Sequence, residues 1–454
     1  MTLGPSTSPK AARSLRVAFR TFGCKLNLYE SSGITQAARA RGHRILPGDA
    51  GEPADVIVVN TCSVTMRADQ EARQFLRAAH RRNPRVRLVV TGCYAQRAPR
   101  ELAALPGVAL VAGHAEKDVL AGLLDDLPPE GAAARIAVAD IAGKGMPALR
   151  ASGVEERTRA LLRVQDGCDA ACTYCIIPRT RGASHSLGLE DAVEEGRRLL
   201  VTCGFREVVL TGTHLGHYGL DLERRQKLSE LVERLLALPV GHAYRLRLSS
   251  VEPQEIDGRL IDLLATRPEL SGHLHLPLQS GSDPMLRAMR RAYRTGNYRR
   301  QVLRVAARVR PLALGADLIV GFPGETEEDF RRTLDFLVEL PFTHLHPFTY
   351  SPRPGTPAAS WPGRPPGPVA ARRLAAARAL VAHKNRVFLE GLLGTTARVL
   401  VEGTASDGDM HGLSDHYVRV DFRAPRPLTG RFALVRLDAL TDHGLRGTLE
   451  RAIP

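Results

Sequence analysis

The sequence predicts an α/β protein with an amino-terminal parallel α/β domain, a central partial (βα)6 barrel and a small carboxyl-terminal β-barrel. Three observations lead there. Apolar strand-like runs alternate with helix-like segments from about residue 15 to about 350, the pattern of parallel sheets joined by crossover helices. A stretch rich in Pro, Gly and Ala between Leu123 and Arg157 separates two such series. Beyond Gly391 the helical pattern stops, and short strands split by Gly and Asp follow. At 454 residues the chain is long enough for about three domains. The expected domains are 15–125, 158–388 and 391–454, with a linker at 126–157.

Hydrophobic content of 44% supports real cores. No apolar run approaches the roughly 18 residues of a membrane span. The start, MTLGPSTSPKAARSLR, lacks the apolar stretch of about 7–15 residues that a signal peptide needs. These features give the expectation of a cytoplasmic protein with no membrane partner. In a reducing compartment its seven cysteines serve as ligands or catalysts rather than in disulfides. The formal charge is +15, with the surplus on residues 1–390 and a balanced tail at 391–454. Such a field fits a polyanionic partner such as RNA, the alternative being a solvated arginine-rich surface.

Taken in order, LRVAFRTFGC reads as a strand ending at Gly23 and Cys24, followed by a helix over 29–42. The strand DVIVVNTC ends at Cys62, a basic helix covers 70–82, and the strand VRLVVTGC closes on Cys93. In open α/β sheets ligands bind outside the carboxyl ends of the strands. Three strands that each deliver a cysteine there predict one three-thiolate site from Cys24, Cys62 and Cys93. Ordinary buried thiols explain one such cysteine better than three.

The central series opens with the strand RALLRVQDG, which runs into a loop carrying Cys168, Cys172 and Cys175 in a C-x3-C-x2-C array. Three thiolates suit a 4Fe-4S cluster and leave one iron open. That iron can chelate the amino and carboxylate groups of S-adenosylmethionine (SAM), whose sulfonium an electron from the cluster then splits to a carbon radical. A structural zinc site would call for paired C-x2-C modules and a fourth ligand, and no second pair is present. Helices at 189–204, 227–241, 256–268, 297–310 and 327–340 then alternate with strands in 205–216, 244–253, 273–283, 312–326 and 343–356. In such barrels chemistry sits at the carboxyl-terminal mouth. Tyr174 lies between two of the cysteines. Gly212, Gly216 and Gly219 allow close backbone approach to a ligand, or simply a tight turn. Ser249, Ser250, Gln279 and Ser280 offer hydrogen bonds to a ribose or carboxylate, or act as caps. Asp317 contacts the cofactor or shapes its strand. Thr326 followed by Glu327, Glu328 and Asp329 reads as a helix start.

With both cysteine triplets in hand, the chain resembles the radical SAM methylthiotransferases over roughly residues 15–450. The motifs are TFGCKLNLYES at 21–31, NTCSVT at 60–65, TGCYAQ at 91–96 and VQDGCDAACTYCIIPRTRG at 164–182. The resemblance implies a radical SAM barrel, a carboxyl-terminal TRAM-type barrel, two 4Fe-4S clusters and SAM. It implies catalysis at Cys168, Cys172 and Cys175, and cofactor contacts from Tyr174, Gly212, Ser249, Gln279 and Asp317. GCKLNLYE and VQDGC are most similar to the branch that adds a methylthio group to C2 of N6-threonylcarbamoyladenosine at position 37 of tRNA. The isopentenyladenosine branch tends toward GCQMN, and the ribosomal-protein branch toward GCPKN; both substrates stand as alternatives. In the implied division of labour, the cluster on Cys24, Cys62 and Cys93 carries the sulfur, one SAM methylates it, and a second SAM supplies the radical that takes the C2 hydrogen. The implied partners are the tRNA anticodon loop, an external electron donor and a sulfur source, and not DNA. Farther away stands an RNA-binding iron-sulfur protein that only senses redox state.

Other residues carry lesser expectations. Cys203 reads as a bystander. His214, His217, His273, His275, His344 and His346 flank strand ends without matching ligand partners, as surface or core histidines do. The basic runs at 80–87 and 287–300 are expected to meet tRNA phosphates, with Tyr293 or Tyr298 available to stack on a base. In the neutral tail, RNA contact would rely on Arg398, Arg419 or Arg436; the alternative is a barrel that mainly caps the catalytic mouth.

Overall fold

A computed structural model of the chain describes residues 14–47, 53–151, 158–405 and 408–453. They divide into two units, the first from 14–47, 53–63, 67–141 and 147–151, the second from 64–66, 142–146, 158–405 and 408–453. In the first, β1 (Arg16–Thr21), β2 (Arg44–Ile45), β3 (Val56–Thr61), β4 (Arg87–Gly92), β5 (Val108–Ala112) and β6 (Arg135–Ala137) form one parallel sheet. Its order is β2-β1-β3-β4-β5-β6, so the order reverses beside β1 and β3. That reversal opens a crevice at the carboxyl ends of these strands. Successive residues of β3 serve opposite faces: Val58 joins Ile34 and Ala38, while Val59 joins Leu76 and Tyr94. Cover on both faces is why the parallel strands read as near-continuous apolar runs.

Two expectations change in this unit. The first helix spans Lys25–Ala40 and begins directly after Cys24, four residues before the predicted start. The stretch read as a linker contributes the edge strand β6, and Leu149 is buried, with its carbonyl accepting from Tyr29 Oη at 2.9 Å. Residues 152–157 of that expected linker lie outside the described residues.

In the second unit, β7 (Arg159–Arg163) leads into a short ladder of β8 (Gln165–Asp166) against β9 (His185–Ser186). The parallel trio β7, β10 (Glu207–Thr211) and β11 (Arg245–Leu248) is followed by a second trio of β12 (His273–His275), β13 (Ala313–Val320) and β14 (His344–Thr349). Bridges Leu246↔Leu270 and Ser250↔His275 link the trios. No pairing joins β14 to β7 among the described residues, so the six-stranded barrel is incomplete. One continuous apolar cluster packs its strands against the surrounding helices, joining Leu162, Leu210, Leu246, Leu274 and Leu318 to Leu231, Ile261, Val302 and Phe336. Tyr293 and Tyr298 belong to this core, their hydroxyls donating to Pro277 O and Leu276 O. The expectation that either stacks on a base is therefore corrected; both are consumed by packing. Arg299 of the same basic run pairs with Glu339.

The helix Gly367–Glu390 leads to a closed barrel of β15 (Thr396–Thr404), β16 (Met410–Ser414), β17 (Arg419–Arg423), β18 (Phe432–Thr441) and β19 (Gly444–Ile453), in the order β15-β16-β17-β19-β18. It has its own core around Val399, Val420, Phe422, Val435 and Leu445. The turn after β16 closes the central barrel at the amino-terminal ends of its strands. There Glu207 and Arg245, which open β10 and β11, are fully buried together with Arg247. Arg245 Nη1 donates to Asp415 Oδ1 at 2.7 Å, Arg247 Nη2 to Ser414 O at 3.0 Å, and Tyr417 stacks on His273 at 4.7 Å. The small barrel thus floors the central one instead of capping its mouth. Arg398 is used here too, donating to Pro268 O at 2.6 Å and pairing with Asp415. Arg419 and Arg436 pair with Asp421 and Asp438.

Candidate active site

The cysteine loop leaves the barrel at the carboxyl end of β7 and is pinned at its base. Gly167, at φ +73°, presses against Ala183 where a Cβ would collide, and Cys168 N–H donates to Gly182 O at 3.0 Å. Asp166 accepts from Arg181 at 2.9 Å, from Gly167 N–H at 2.8 Å and from Thr213 at 3.0 Å. Gln165 ties the loop to the turn after β10: its Nε2 donates to Gly167 O at 2.8 Å and its Oε1 accepts from His214 N–H at 2.7 Å.

Two of the three cysteine sulfurs lie against a side-chain nitrogen. Arg291 Nη1 lies 3.3 Å from Cys172 Sγ and 3.4 Å from Tyr174 Oη, and its other arm pairs with Glu252. His214 Nδ1 lies 3.4 Å from Cys168 Sγ, and its Nε2 lies 2.6 Å from Glu255. Glu252 and Glu255 belong to one capping box on the turn Pro253–Glu255 after β11. Burial works against a charged His214, yet the Cys168 sulfur and Glu255 outweigh it and push its pKa up to about 10. Burial pushes the Cys175 thiol up to about 12, with Cys172 and Cys168 adding to the effect against the Ile177 N–H. A cation among the sulfurs would reverse that balance. His214, His217 and Glu255 bring ligand atoms within 4.8 Å of one another, but the two imidazoles stack at 3.7 Å and 18°. Nearly parallel rings cannot both aim an in-plane lone pair at one ion, so this group reads as a hydrogen-bonding assembly.

Of the predicted contact residues, Tyr174, Gln279 and Asp317 line one cavity of about 180 Å³ together with Cys175, Ile319 and Tyr350. Gln279 adopts φ +64°, a left-handed conformation rare outside glycine, four residues past the end of β12, and its backbone bridges to β13. Asp317 Oδ2 lies 3.1 Å from His275 Nε2. Gly212 does not line the cavity; a Cβ there would meet the Gln165 side chain at 2.8 Å. Ser249 is buried, and its Oγ has no hydrogen-bond partner among the described residues. Tyr350 Oη is likewise buried and unpartnered among the described residues. Open hydroxyls, a largely apolar cavity and three sulfurs unpaired by disulfides fit an adenosyl cofactor beside a cluster. Ser280 is internal, within 3.4 Å of Thr333 and accepting from Ser282 N–H. Thr326 caps the helix Glu327–Glu339 in a capping box with Asp329.

The histidines are not scattered. His273, His275, His344 and His346 form a column inside the barrel, with ring contacts of 5.3 Å between His273 and His344 and 5.7 Å between His275 and His346. Burial, helped by His275 and His346, holds His344 down to about 3, so it stays neutral. Gly315 makes room for its ring. Cys203 is exposed, with Arg198 at 3.6 Å.

In the first unit, Cys24 is the N-cap of its helix, Cys62 follows β3, and Cys93 opens the helix Cys93–Arg97. Two glycines let these turns meet. Gly23, at φ +101°, would place a Cβ 2.6 Å from Cys62 Cβ, and Gly92, at φ +96°, would drive one into the Thr61 backbone. Asn27 braces the group, donating to Phe22 O at 2.8 Å and Thr61 O at 3.1 Å, with its Oδ1 3.8 Å from Cys24 Sγ. The donor set again fits a cluster held by three thiolates.

Residues 16–113 match the family described as Uncharacterized protein family UPF0004, and residues 162–337 match the Radical SAM superfamily. The chain is 35% identical over 428 residues to the threonylcarbamoyladenosine tRNA methylthiotransferase MtaB of Bacillus subtilis, covering 93% of each chain. It is 33% identical to the protein of the same name from Thermotoga maritima, covering 94% of this chain and 96% of that one. It is also 35% identical to a tRNA-2-methylthio-N(6)-dimethylallyladenosine synthase of Syntrophobacter fumaroxidans, covering 95% and 94%. Among solved structures it is similar in fold to the radical S-adenosylmethionine methyltransferase TsrM of Kitasatospora setae, at a TM-score of 0.55 and 18% identity, over 76% of this chain and 75% of that one.

Proposed function

Since the chain belongs to the radical SAM methylthiotransferases, we propose that it adds a methylthio group to C2 of N6-threonylcarbamoyladenosine at position 37, beside the tRNA anticodon. The observation that carries this reading is the pair of three-thiolate sites at the carboxyl ends of parallel strands, one in each unit. A cluster of four irons on three thiolates, when bound with SAM at its open iron, supplies one-electron cleavage of the sulfonium.

The chain's own residues do the rest. Cys168, Cys172 and Cys175 hold that cluster on a loop fixed by Asp166, Gly167 and Gln165. Tyr174, Gln279 and Asp317 orient the adenosyl group in the cavity, and Ile319 with Tyr350 helps to exclude water from it. Ser249 offers its free hydroxyl at the mouth, while Gly212 acts through Gln165 rather than by contact. Cys24, Cys62 and Cys93 hold the second cluster, which keeps the sulfur to be transferred. An external reductant supplies electrons, a sulfur source reloads the second site, and neither DNA nor a membrane takes part. No helix among the described residues is long and apolar enough to cross a membrane.

The test is a nucleoside digest of tRNA from cells with and without the gene, read by mass spectrometry. Loss of the methylthio form of threonylcarbamoyladenosine is expected. The equal identity to the Syntrophobacter relative makes the dimethylallyl nucleoside the second reading, and loss of its methylthio form instead would replace the first. Cys24→Ala and Cys172→Ala are each expected to abolish the modification in complemented cells; modification surviving Cys24→Ala would remove the second cluster from the scheme.

A further inference from the structure

Arg291 stands in a run of arginines that reads as a surface, yet its side chain is only 7% exposed and its partners are not solvent. One arm of the guanidinium pairs with Glu252 from the turn after β11. The other points at the cysteine loop, 3.3 Å from Cys172 Sγ and 3.4 Å from Tyr174 Oη. Nε reaches Tyr293 Oη at 3.2 Å, and the guanidinium carbon lies 5.0 Å from the Tyr293 ring centre. Tyr293 is itself fixed by Pro277 O and Leu278 O. The fork therefore has one available geometry, and it places a permanent positive charge and an N–H against one sulfur of the loop. A guanidinium does not titrate in proteins, so this charge is present at every working pH.

We infer that Arg291, held by Glu252, is a positioning residue that raises the reduction potential of a cluster on Cys168, Cys172 and Cys175 by donating a hydrogen bond to the Cys172 sulfur. The inference rests on the reading that this loop carries a 4Fe-4S cluster. Reduction adds one electron to the cluster, and a nearby cation with a hydrogen bond to a ligating sulfur stabilises the more negative state. The burial that makes an ion pair costly also leaves its field little screened. Glu252 partly offsets that field, but it lies on the far arm of the fork, and the sulfur sees the guanidinium first. The residue acts through Cys172 and need not touch substrate.

The experiment uses the full chain with Cys24, Cys62 and Cys93 all replaced by alanine, so that a reconstituted cluster can form only on the loop. Its midpoint potential is titrated with dithionite in the absence of SAM and read by electron paramagnetic resonance. Arg291→Gln is expected to make the potential more negative, and Arg291→Lys, which keeps the charge, to recover most of the difference. Glu252→Gln combined with Arg291→Gln removes both charges of the pair and serves if the single variant does not take up iron; it too is expected to titrate below the parent. Equal potentials in parent and Gln variants, or a shift to a less negative value, would overturn the inference. Failure of the parent itself to take up iron would instead overturn the loop-cluster reading. Because SAM is absent, a residue that only bound the cofactor's carboxylate would leave the potential unmoved and count against the inference.

Discussion

At the scale of single residues, the cysteines were legible because each announces itself by place: three within eight positions of one loop, and three at the ends of strands. Their supports were not. Arg291 lies 39 positions from Glu252, and His214 lies 41 from Glu255, so nothing local marks either as paired. In the sequence they look like a surface arginine and a stray histidine. The glycines beside the cysteines allow a direct test. Gly92→Ala combines a left-handed backbone with a Cβ 2.6 Å from Thr61 N, while Gly42→Ala, at φ +88°, meets no atom within 4 Å. Gly42→Ala is expected to cost about 1 kcal/mol, the strain of the conformation alone. Gly92→Ala should cost at least about 2 kcal/mol more in denaturant unfolding and should prevent iron uptake at Cys93. Equal costs would mean that the turns carrying Cys62 and Cys93 are not packed as described.

At the scale of elements, alternating strands and helices were readable because parallel strands are apolar on both faces and crossover helices on one. What escaped reading was whatever depends on distant partners. Strand β16, MHGLS, lacks the apolar run of its neighbours because Gly412 lies against Leu400 O, where a side chain would collide. The barrel strand β11, RLRL, alternates like a surface strand, yet both arginines are buried because Glu207 and the turn at 414–415 receive them. Burial alone would raise the Glu207 carboxyl, but Arg245 and Arg247 outweigh it and hold the pKa down to about 2, below the ordinary 4.5. A depressed folded pKa gives stability that is complete above about 4.5 and is lost as pH falls toward 2. The thermal midpoint of the wild-type chain is therefore expected to drop over that window, and more steeply than that of Glu207→Gln. Glu207→Ala at neutral pH should destabilise by about 3–5 kcal/mol, since it removes the carboxylate that two buried guanidinium groups share and leaves Arg247 with carbonyl partners alone. A loss below about 1 kcal/mol would show that water reaches them.

At the scale of the whole molecule, the charge of +15 and the balance of the tail were plain from composition, but composition does not say which arginines are spent inside. Arg245, Arg247, Arg291 and Arg373 are buried, and Arg398 is committed to the floor contact. The remaining surface surplus predicts that tRNA affinity falls at least about tenfold between about 50 and about 200 mM salt, by counterion release; a flat salt dependence would argue that recognition is not electrostatic. The floor contact has one more consequence, which concerns the order in which the chain is made. Arg245 and Arg247 leave the ribosome with Glu207 already available, but Asp415 and the carbonyls at 413–415 follow about 170 residues later. Until they arrive, two guanidinium groups share one carboxylate at the open end of a half-finished barrel. A domain synthesised later thus completes the core of the one before it, and a message truncated ahead of β16 would yield a central barrel without a floor.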